Sequence, residues 1–487
     1  MPATQLPTKK TKIVCTIGPA SQSPAMLERM IGLGMNVARL NFAHGDFDSH
    51  AQVIHNIRAA AAAVDRRVAI MGDLPGPKMR IGELHQESVD LKQGQPFILQ
   101  ADEIVGNEQR ASVSFPNLAQ GIKPGDKIFL SDGFIQLEVK KIAGQEVHCQ
   151  IQVGGELRPH KGVNFPNINL GISAFTQQDR EFLAFAAAQK LDAVSQSFVE
   201  GPDDISVVRE AAAALNYQPF IIAKIERAGA VKNIEKILEV TDGIMIARGD
   251  LGVEIPIETI AITQKQLIRQ ANLFERPVIT ATHMLESMVT NRRPTRAEAT
   301  DVANAILDGT DCVMLSEETA MGQFPDEAVA MMARIAEATE PDCCAGEIVQ
   351  TLQSAKQKNR INTDELISYS FYRSVEILKP IAVITPTLSG ATSRRLSRFR
   401  LPVWIVGVSS NEATCQNLQF SYGVYPVHQK ERPANWEQYA RTWLARHNLT
   451  GELALLTRGT TSASGSGGTN QLEIINLAHP PDGPSIW

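Results

Sequence analysis

The sequence predicts an α/β protein: a (β/α)8 TIM barrel with an inserted β-barrel lid domain and a separate C-terminal α/β domain. Three observations point there. Short apolar runs alternate with helical segments from residue 11, stop near residue 75 and resume near residue 176, giving three strands before the break and five after it. The break itself reads as short alternating strands with Gly and Pro turns. Polar or charged side chains follow seven of the eight barrel strands, and barrels collect their chemistry at that face.

In chain order, residues 11–16 read as the first strand. Ser23-Pro24 then supplies an N-cap and a proline at the first helical position. Residues 35–40 make the second strand, an Ala-rich helix spans 49–64, and 68–72 is the third strand. Runs such as KIFL (127–130) and IQLEV (135–139) mark residues 74–167 as the β-rich insertion. It leaves from the catalytic face, where it is placed to act as a lid. Later strands fall at 193–195, 220–223, 243–247, 278–281 and 312–315, and a last helix at 326–339. Segments 8–73 and 168–341 together amount to 240 residues, close to the roughly 250 of a typical barrel of this kind. Pro341 marks a boundary, and the polar stretch 350–360 leads into a third domain, 342–487. That domain carries a helix at 364–378 and strands at 381–385, 404–408 and 453–456. The final HPPDGPSIW reads as a frayed tail.

Composition narrows the class. With 43% hydrophobic and 21% charged residues, the chain is ordinary for a soluble globular protein. A net charge of -6 argues against a dedicated nucleic-acid partner. The polar start MPATQLPTKKTK lacks the apolar core of a signal peptide, and no run suggests a membrane span. Six scattered cysteines with no CxxC pair read as reduced thiols of a cytoplasmic protein.

The chemistry gathers at the strand ends. Strand two gives Arg39, Asn41 and then His44; strand three gives Asp73, with Lys78 and Arg80 after a PGP turn. Strand four gives Ser197, strand five Lys224 and Glu226, and strand six Arg248, Gly249 and Asp250. Strand seven gives Thr282, and strand eight Ser316 and Glu318. Glu226 and Asp250 can hold one hard cation with Lys224 beside it, which suits a reaction that develops negative charge on oxygen. The structural alternative is an ion-pair network closing the barrel mouth. The cations Arg39, Arg80 and Lys224 suggest phosphoryl transfer, with Mg²⁺ bridging oxygens. No GxxxxGK[ST] loop is present, and no GxGxxG follows a strand.

Nine segments in this order resemble the pyruvate kinase family, among them TKIVCTIGPAS (11–21), MNVARLNFAHG (35–45), GDLPGPKMRIG (72–82), KGVNFPN (161–167), AKIERAGAVKNI (223–234), DGIMIARGDLGVE (242–254) and MLSEETAMGQFP (314–325). The resemblance implies transfer of the phosphoryl group of phosphoenolpyruvate to ADP, giving pyruvate and ATP. It implies a cytoplasmic homotetramer using Mg²⁺ or Mn²⁺. By position, Glu226 and Asp250 become metal ligands, and Lys224 stabilises the transferring group and the enolate. Arg39, Ser197, Lys224, Gly249, Asp250 and Thr282 contact substrate. Asn41, His44, Asp73, Arg80 and Lys161 form the phosphate and nucleotide side. Thr282, with Ser316 and Glu318, resembles the family's proton-relay group. A threonine hydroxyl is too weak an acid to act alone, so a water chain is expected. A metal-dependent pyruvate-enolate aldolase would use the same barrel and carboxylates without needing the lid, Arg80 or Lys78. A metabolite sensor would have lost Lys224 or a metal ligand.

The chain departs from the family's K⁺ site. Ala43 stands where a serine is usual, Leu74 where a threonine is usual, and Lys78 replaces a glutamate. Two lost oxygen ligands and one gained ammonium predict activity without K⁺, with Lys78 as the surrogate charge. Glu317 and His283 also differ from the usual residues. In the third domain, Thr387, Ser389, Gly390, Thr392 and Arg394, with the Gly/Ser/Thr-rich run 457–469, resemble the family's effector site. Leu388 and Ala391 occupy its usual basic positions, so a sugar monophosphate or AMP is expected there rather than a doubly phosphorylated sugar.

Overall fold

The computed structural model describes residues 6–478 except 116–117, 132, 167, 169–170, 172, 344, 358–361 and 460–468. Asn167 of the KGVNFPN motif, Cys344, most of the Gly/Ser/Thr-rich run and the expected C-terminal tail therefore lie outside the described residues.

Eight parallel strands close into a barrel: Lys12–Thr16, Met35–Asn41, Ala69–Leu74, Ala193–Gln196, Phe220–Ile225, Gly243–Ala247, Val278–Ala281 and Cys312–Leu315. They lie within a residue or two of their expected positions. A parallel barrel strand is covered on both faces, which is why these runs are apolar throughout rather than alternating. Local signals start the helices between them. Ser23 caps Pro24–Gly32 by accepting from Met26 N at 3.4 Å. Asp46 and Ser49 form a capping box at the start of Phe47–Ala63.

The insertion hydrogen-bonds as a six-stranded sheet and a two-stranded sheet around their own apolar core. Among the described residues, only the eight-stranded barrel closes strand to strand. The lid's entry and exit chains pair with each other, Ile81 N donating to Lys161 O at 2.9 Å and His160 N to Ile81 O at 3.0 Å. That pairing keeps Arg80 and Lys161 beside the barrel mouth.

The C-terminal sheet has five strands, Val424–His428, Trp404–Ser409, Ala382–Pro386, Leu453–Gly459 and Thr469–Asn476, the last one antiparallel. The first and last of these gave no clear sequence signal. The polar stretch expected to connect the domains is instead largely helical, Gly346–Gln357. Ile348 and Leu352, four residues apart, bury one stripe of that helix in the C-terminal core.

The C-terminal domain also closes the barrel floor. Phe420 is fully buried within the cluster that fills the barrel, stacked 5.3 Å from Phe220. A buried ion pair fixes the same seam, Arg400 reaching Asp311 at 2.9 and 3.1 Å.

Candidate active site

Lys224 is the centre of the site. Its strand ends between those of Ser197 and Asp250, so three strands contribute to one cluster. Lys224 Nζ donates to Ser197 Oγ at 2.7 Å and lies 3.2 Å from Glu226 Oε2 and 3.7 Å from Asp73 Oδ2. Burial alone would lower its pKa, but Asp73, Glu226 and Asp250 outweigh burial and hold it above the ordinary lysine value. The ammonium therefore stays charged.

Asp73 organises the cations. Its Oδ1 accepts from Ser195 Oγ at 2.6 Å, and its Oδ2 accepts from Arg39 Nε at 3.1 Å and from the Arg39 terminal nitrogen. Burial would raise its pKa, but Lys224 and Arg39 overcome burial and hold the carboxyl well below the usual range. Arg39 Nη1 also donates to Thr16 Oγ1 at 3.0 Å. Sequence reasoning missed Ser195 and Thr16. Ser195 sits inside a strand that no quoted motif covers, and Thr16 ends the strand of the TKIVCTIGPAS segment, where nothing singles it out from its neighbours.

The two expected metal ligands differ in setting. Glu226 is buried, accepts from Phe198 N at 2.7 Å through Oε1, and leaves Oε2 without a hydrogen-bond partner. Asp250 is exposed, in the first turn of the short helix Arg248–Glu254. Burial raises the pKa of Glu226, Lys224 opposes that rise, and the charge of Asp250 adds to it. Glu226 Oε2 makes no hydrogen bond and has the Lys224 ammonium 3.2 Å away, and with the nearby charge of Asp250 this pair of carboxylates fits a divalent cation. No group of three or more His, Cys, Asp and Glu ligands exists among the described residues. That agrees with Mg²⁺, which takes one or two carboxylates and completes its shell with water and phosphate oxygens.

Arg248 ties strand six to strand seven. It donates to Ala281 O at 3.1 Å, Thr282 O at 2.8 Å and Asp301 Oδ1 at 2.7 Å. Thr282 has φ +71°, and His283 follows at φ +54°. Such angles are costly for a β-branched residue, and this clamp helps to hold them. Gly249 must be glycine here, because a Cβ would come within 2.8 Å of Thr282 Cγ2. Glu318 is fully buried and accepts from Leu285 N at 3.0 Å and Ser316 N at 2.6 Å. Burial pushes its pKa up. Glu317 is exposed and acts on Glu286, whose pKa burial raises, His283 lowers and Glu317 raises further.

On the lid side, His44 is held below its ordinary pKa by desolvation and then by Lys78, Arg80 and Arg39. These four groups thus share one cationic field. Arg80 Nη1 donates to His160 O at 2.8 Å, and Lys161 is exposed. The oxygens at Asn41 and Asp73 are already engaged: Asn41 Oδ1 accepts from Ala43 N at 3.2 Å, and Asp73 holds Ser195 and Arg39. Lys78 is solvent-accessible at the mouth. Desolvation lowers its pKa, as does Lys224, against the pull of Asp73.

The C-terminal domain holds a cavity of about 660 Å³ lined by Thr387, Ser389 and Thr392. Gly390 starts the adjoining helix at φ +82°, its N–H donating to Thr387 Oγ1 at 2.9 Å. The arginine of this segment on the cavity wall is Arg395; Arg394 lines a different cleft. Arg458, from the expected run 457–469, also lines the cavity, as do Lys430, Arg432 and Trp436, which were not singled out from sequence. They come from three later segments that only the folded sheet brings together.

A closed barrel with cations and two carboxylates at its mouth, beside an inserted sheet domain, suits phosphoryl transfer. The family described as "Pyruvate kinase, barrel domain" matches residues 8–329, and "Pyruvate kinase, alpha/beta domain" matches residues 365–475. A pyruvate kinase of Thermococcus litoralis is 48% identical over 425 residues, 87% of this chain and 89% of the relative. One of Geobacillus stearothermophilus is 42% identical over 481 residues, 96% of this chain and 80% of the relative. Pyruvate kinase 2 of a Synechocystis species is 41% identical over 476 residues, 96% and 79% of the two chains. The chain belongs to the pyruvate kinase family, and with it to enzymes that use phosphoenolpyruvate, ADP and a divalent metal. These matches leave the aldolase alternative without support. No helix among the described residues is long and apolar enough to cross a membrane.

Proposed function

We propose that this chain transfers the phosphoryl group of phosphoenolpyruvate to ADP by way of the Lys224 cluster. The observation that carries the reading is the ammonium of Lys224, kept charged by three carboxylates near the carboxyl end of its strand. Arg39, fixed by Asp73 and Thr16, binds the phosphoryl oxygens. Ser197 orients Lys224, and the Gly249 segment receives the substrate carboxylate. A β-phosphate oxygen of ADP attacks phosphorus, the bond from phosphorus to the enol oxygen breaks, and the electron pair stays on that oxygen. Lys224 offsets the charge on both the moving group and the enolate. When bound by Glu226 and Asp250, the divalent ion adds further positive charge at the same oxygens.

The enolate must then gain a proton at carbon. Thr282 stands at this end of the site, and its strained turn is held by Arg248 and by Glu318 through Leu285 N. Thr282 passes the proton along a water chain that Ser316 and Glu318 help to order. On the lid side, Asn41, His44, Asp73, Arg80 and Lys161 form or support the nucleotide site, and the insertion closes over it.

The reading extends to two regulatory features. Lys78 supplies the charge that K⁺ gives elsewhere, supported by the engaged oxygens of Asn41 and Asp73. The C-terminal cavity binds a sugar monophosphate or AMP, supported by its hydroxyls and the nearby cations. The enzyme acts as a cytoplasmic homotetramer. The test is ATP formation from phosphoenolpyruvate and ADP with Mg²⁺ in Na⁺- and K⁺-free buffer, with and without glucose 6-phosphate, ribose 5-phosphate and AMP. ADP-dependent turnover without K⁺ is expected. A steep K⁺ requirement overturns the Lys78 role, and no turnover in any condition overturns the whole reading.

A further inference from the structure

A second cleft lies in the seam between the barrel and the C-terminal domain, apart from both the active site and the effector cavity. It is small, a cavity of about 10 Å³, room for about one water-sized group. Arg276 and Glu275 reach it from the barrel; Arg394, Arg398 and Ser421 reach it from the C-terminal domain.

Its polar groups are left incomplete. Ser421 is fully buried, and its Oγ has no hydrogen-bond partner. Arg398 is 3% exposed, and its Nε has none either. Among the described residues, none pairs with the Arg394 guanidinium. The nearby carboxylates are committed elsewhere. Glu275 Oε1 accepts from Arg395 Nε at 2.6 Å and lies 3.6 Å from Arg398. Asp311 is taken by Arg400 and by Tyr422 N at 2.9 Å. Asp242, which also acts on Arg394, is held by Arg209 at 3.0 Å. Desolvation holds Arg394 and Arg398 below the ordinary arginine range, and Arg276 adds to the effect on Arg394.

Arg276 donates to Leu238 O at 3.0 Å and Glu239 O at 3.5 Å, and Arg398 Nη2 to Ser368 Oγ at 3.5 Å. Among the described residues, the Arg394 guanidinium, Arg398 Nε and the buried Ser421 hydroxyl are the donors left unused at the cleft. A buried unsatisfied donor costs about 1–3 kcal/mol, and more when charged. From this we infer that the seam cleft is a binding site for a small inorganic anion, held by Arg276, Arg394, Arg398 and Ser421. The anion accepts from all four and bridges the two domains. The space suits a monatomic anion, or one oxygen of an oxyanion, and excludes a sugar or nucleotide. The site is independent of the effector cavity, whose nearest arginine, Arg395, faces the other side of the same helix. Its occupancy adds to the stability of domain docking in proportion to the logarithm of anion concentration.

The test titrates sodium chloride and, separately, sodium orthophosphate into the full-length protein in a gluconate background, reading Tm. A saturable rise with at least one anion is expected. Its midpoint moves at least tenfold higher in Arg394→Gln and at least threefold higher in Ser421→Ala. Arg432→Gln, in the C-terminal cavity, leaves the chloride midpoint in place. Ser421→Ala keeps the test decisive if the arginine variant does not fold. A rise that is linear rather than saturating, a midpoint unchanged in the seam variants, or a chloride midpoint displaced by Arg432→Gln overturns the inference.

Discussion

Replacing Asp73 with Asn is the sharpest test of the proposed cation cluster. The carboxylate is almost completely buried and faces Arg39 and Lys224. At the 3.7 Å separation from Lys224, an effective dielectric constant of about 20 gives a gross attraction of ~4 kcal/mol. Asn keeps the hydrogen bond to Ser195 but strands two buried cations. Breaking a buried pair from one side costs about 3–5 kcal/mol. For a unit of this size that is a fall in Tm of roughly 6–20 °C. Lys224 loses its strongest carboxylate partner, so its pKa drops and the proton leaves at lower pH. The alkaline limb of the kcat profile therefore moves toward neutrality. Arg39 also loses its anchor, and a misplaced phosphate contact can cost about 10²-fold in rate. Asp73 itself has a depressed folded-state pKa, so its stabilisation is present above its unfolded value near ~4 and is lost as pH falls further. Asp73→Asn should flatten that acid limb. The assays are thermal unfolding across pH and a steady-state kcat profile. A variant with wild-type Tm and an unmoved alkaline limb would refute the reasoning.

Three further outcomes are expected. Lys78→Glu should abolish most activity in Na⁺- and K⁺-free buffer and regain it on adding K⁺; activity indifferent to K⁺ in that variant counts against the surrogate role. Thr282→Ala should lower kcat by ~10²-fold or more with little change in the KM for phosphoenolpyruvate, because a proton step is lost and binding is not. An altered KM alone would place Thr282 in binding only. Asp311→Asn should loosen the docking of the C-terminal domain by about 3–5 kcal/mol, since it strands the buried Arg400; unchanged denaturant and proteolysis profiles would show that the apolar seam around Phe420 suffices.

The barrel was legible because its signal is local. Short apolar runs such as FIIAKI and GIMIA can be buried on both faces only as parallel strands, and each ends in the residue types that the mouth uses. Caps at Ser23 and Asp46 stand in the sequence beside the helices they start. Lys224, Glu226 and Asp250 could be placed together because strand order fixes which ends are neighbours. Other features depend on orientation. Ser195 and Thr16 matter because they point inward beside Asp73 and Arg39, and their own sequence neighbours give no sign of it. The stretch 350–360 is polar on average, yet Ile348 and Leu352 give the helix that runs into it a buried stripe.

Arg394 and Arg395 show the division most clearly. The sequence determines that two arginines follow the TLSGAT loop on one helix. Adjacent helical residues point about 100° apart, so one arginine lines the C-terminal cavity and the other the domain seam. Which faces which is set by how the helix docks between the C-terminal sheet and the barrel. That docking depends on contacts such as Arg400 with Asp311 and Phe420 with Phe220, made between residues far apart in the chain. The sequence by itself determined the order of elements and the chemistry at the strand ends. Only the tertiary structure decided which side chains share a cavity, because long-range packing, not local pattern, orients each face.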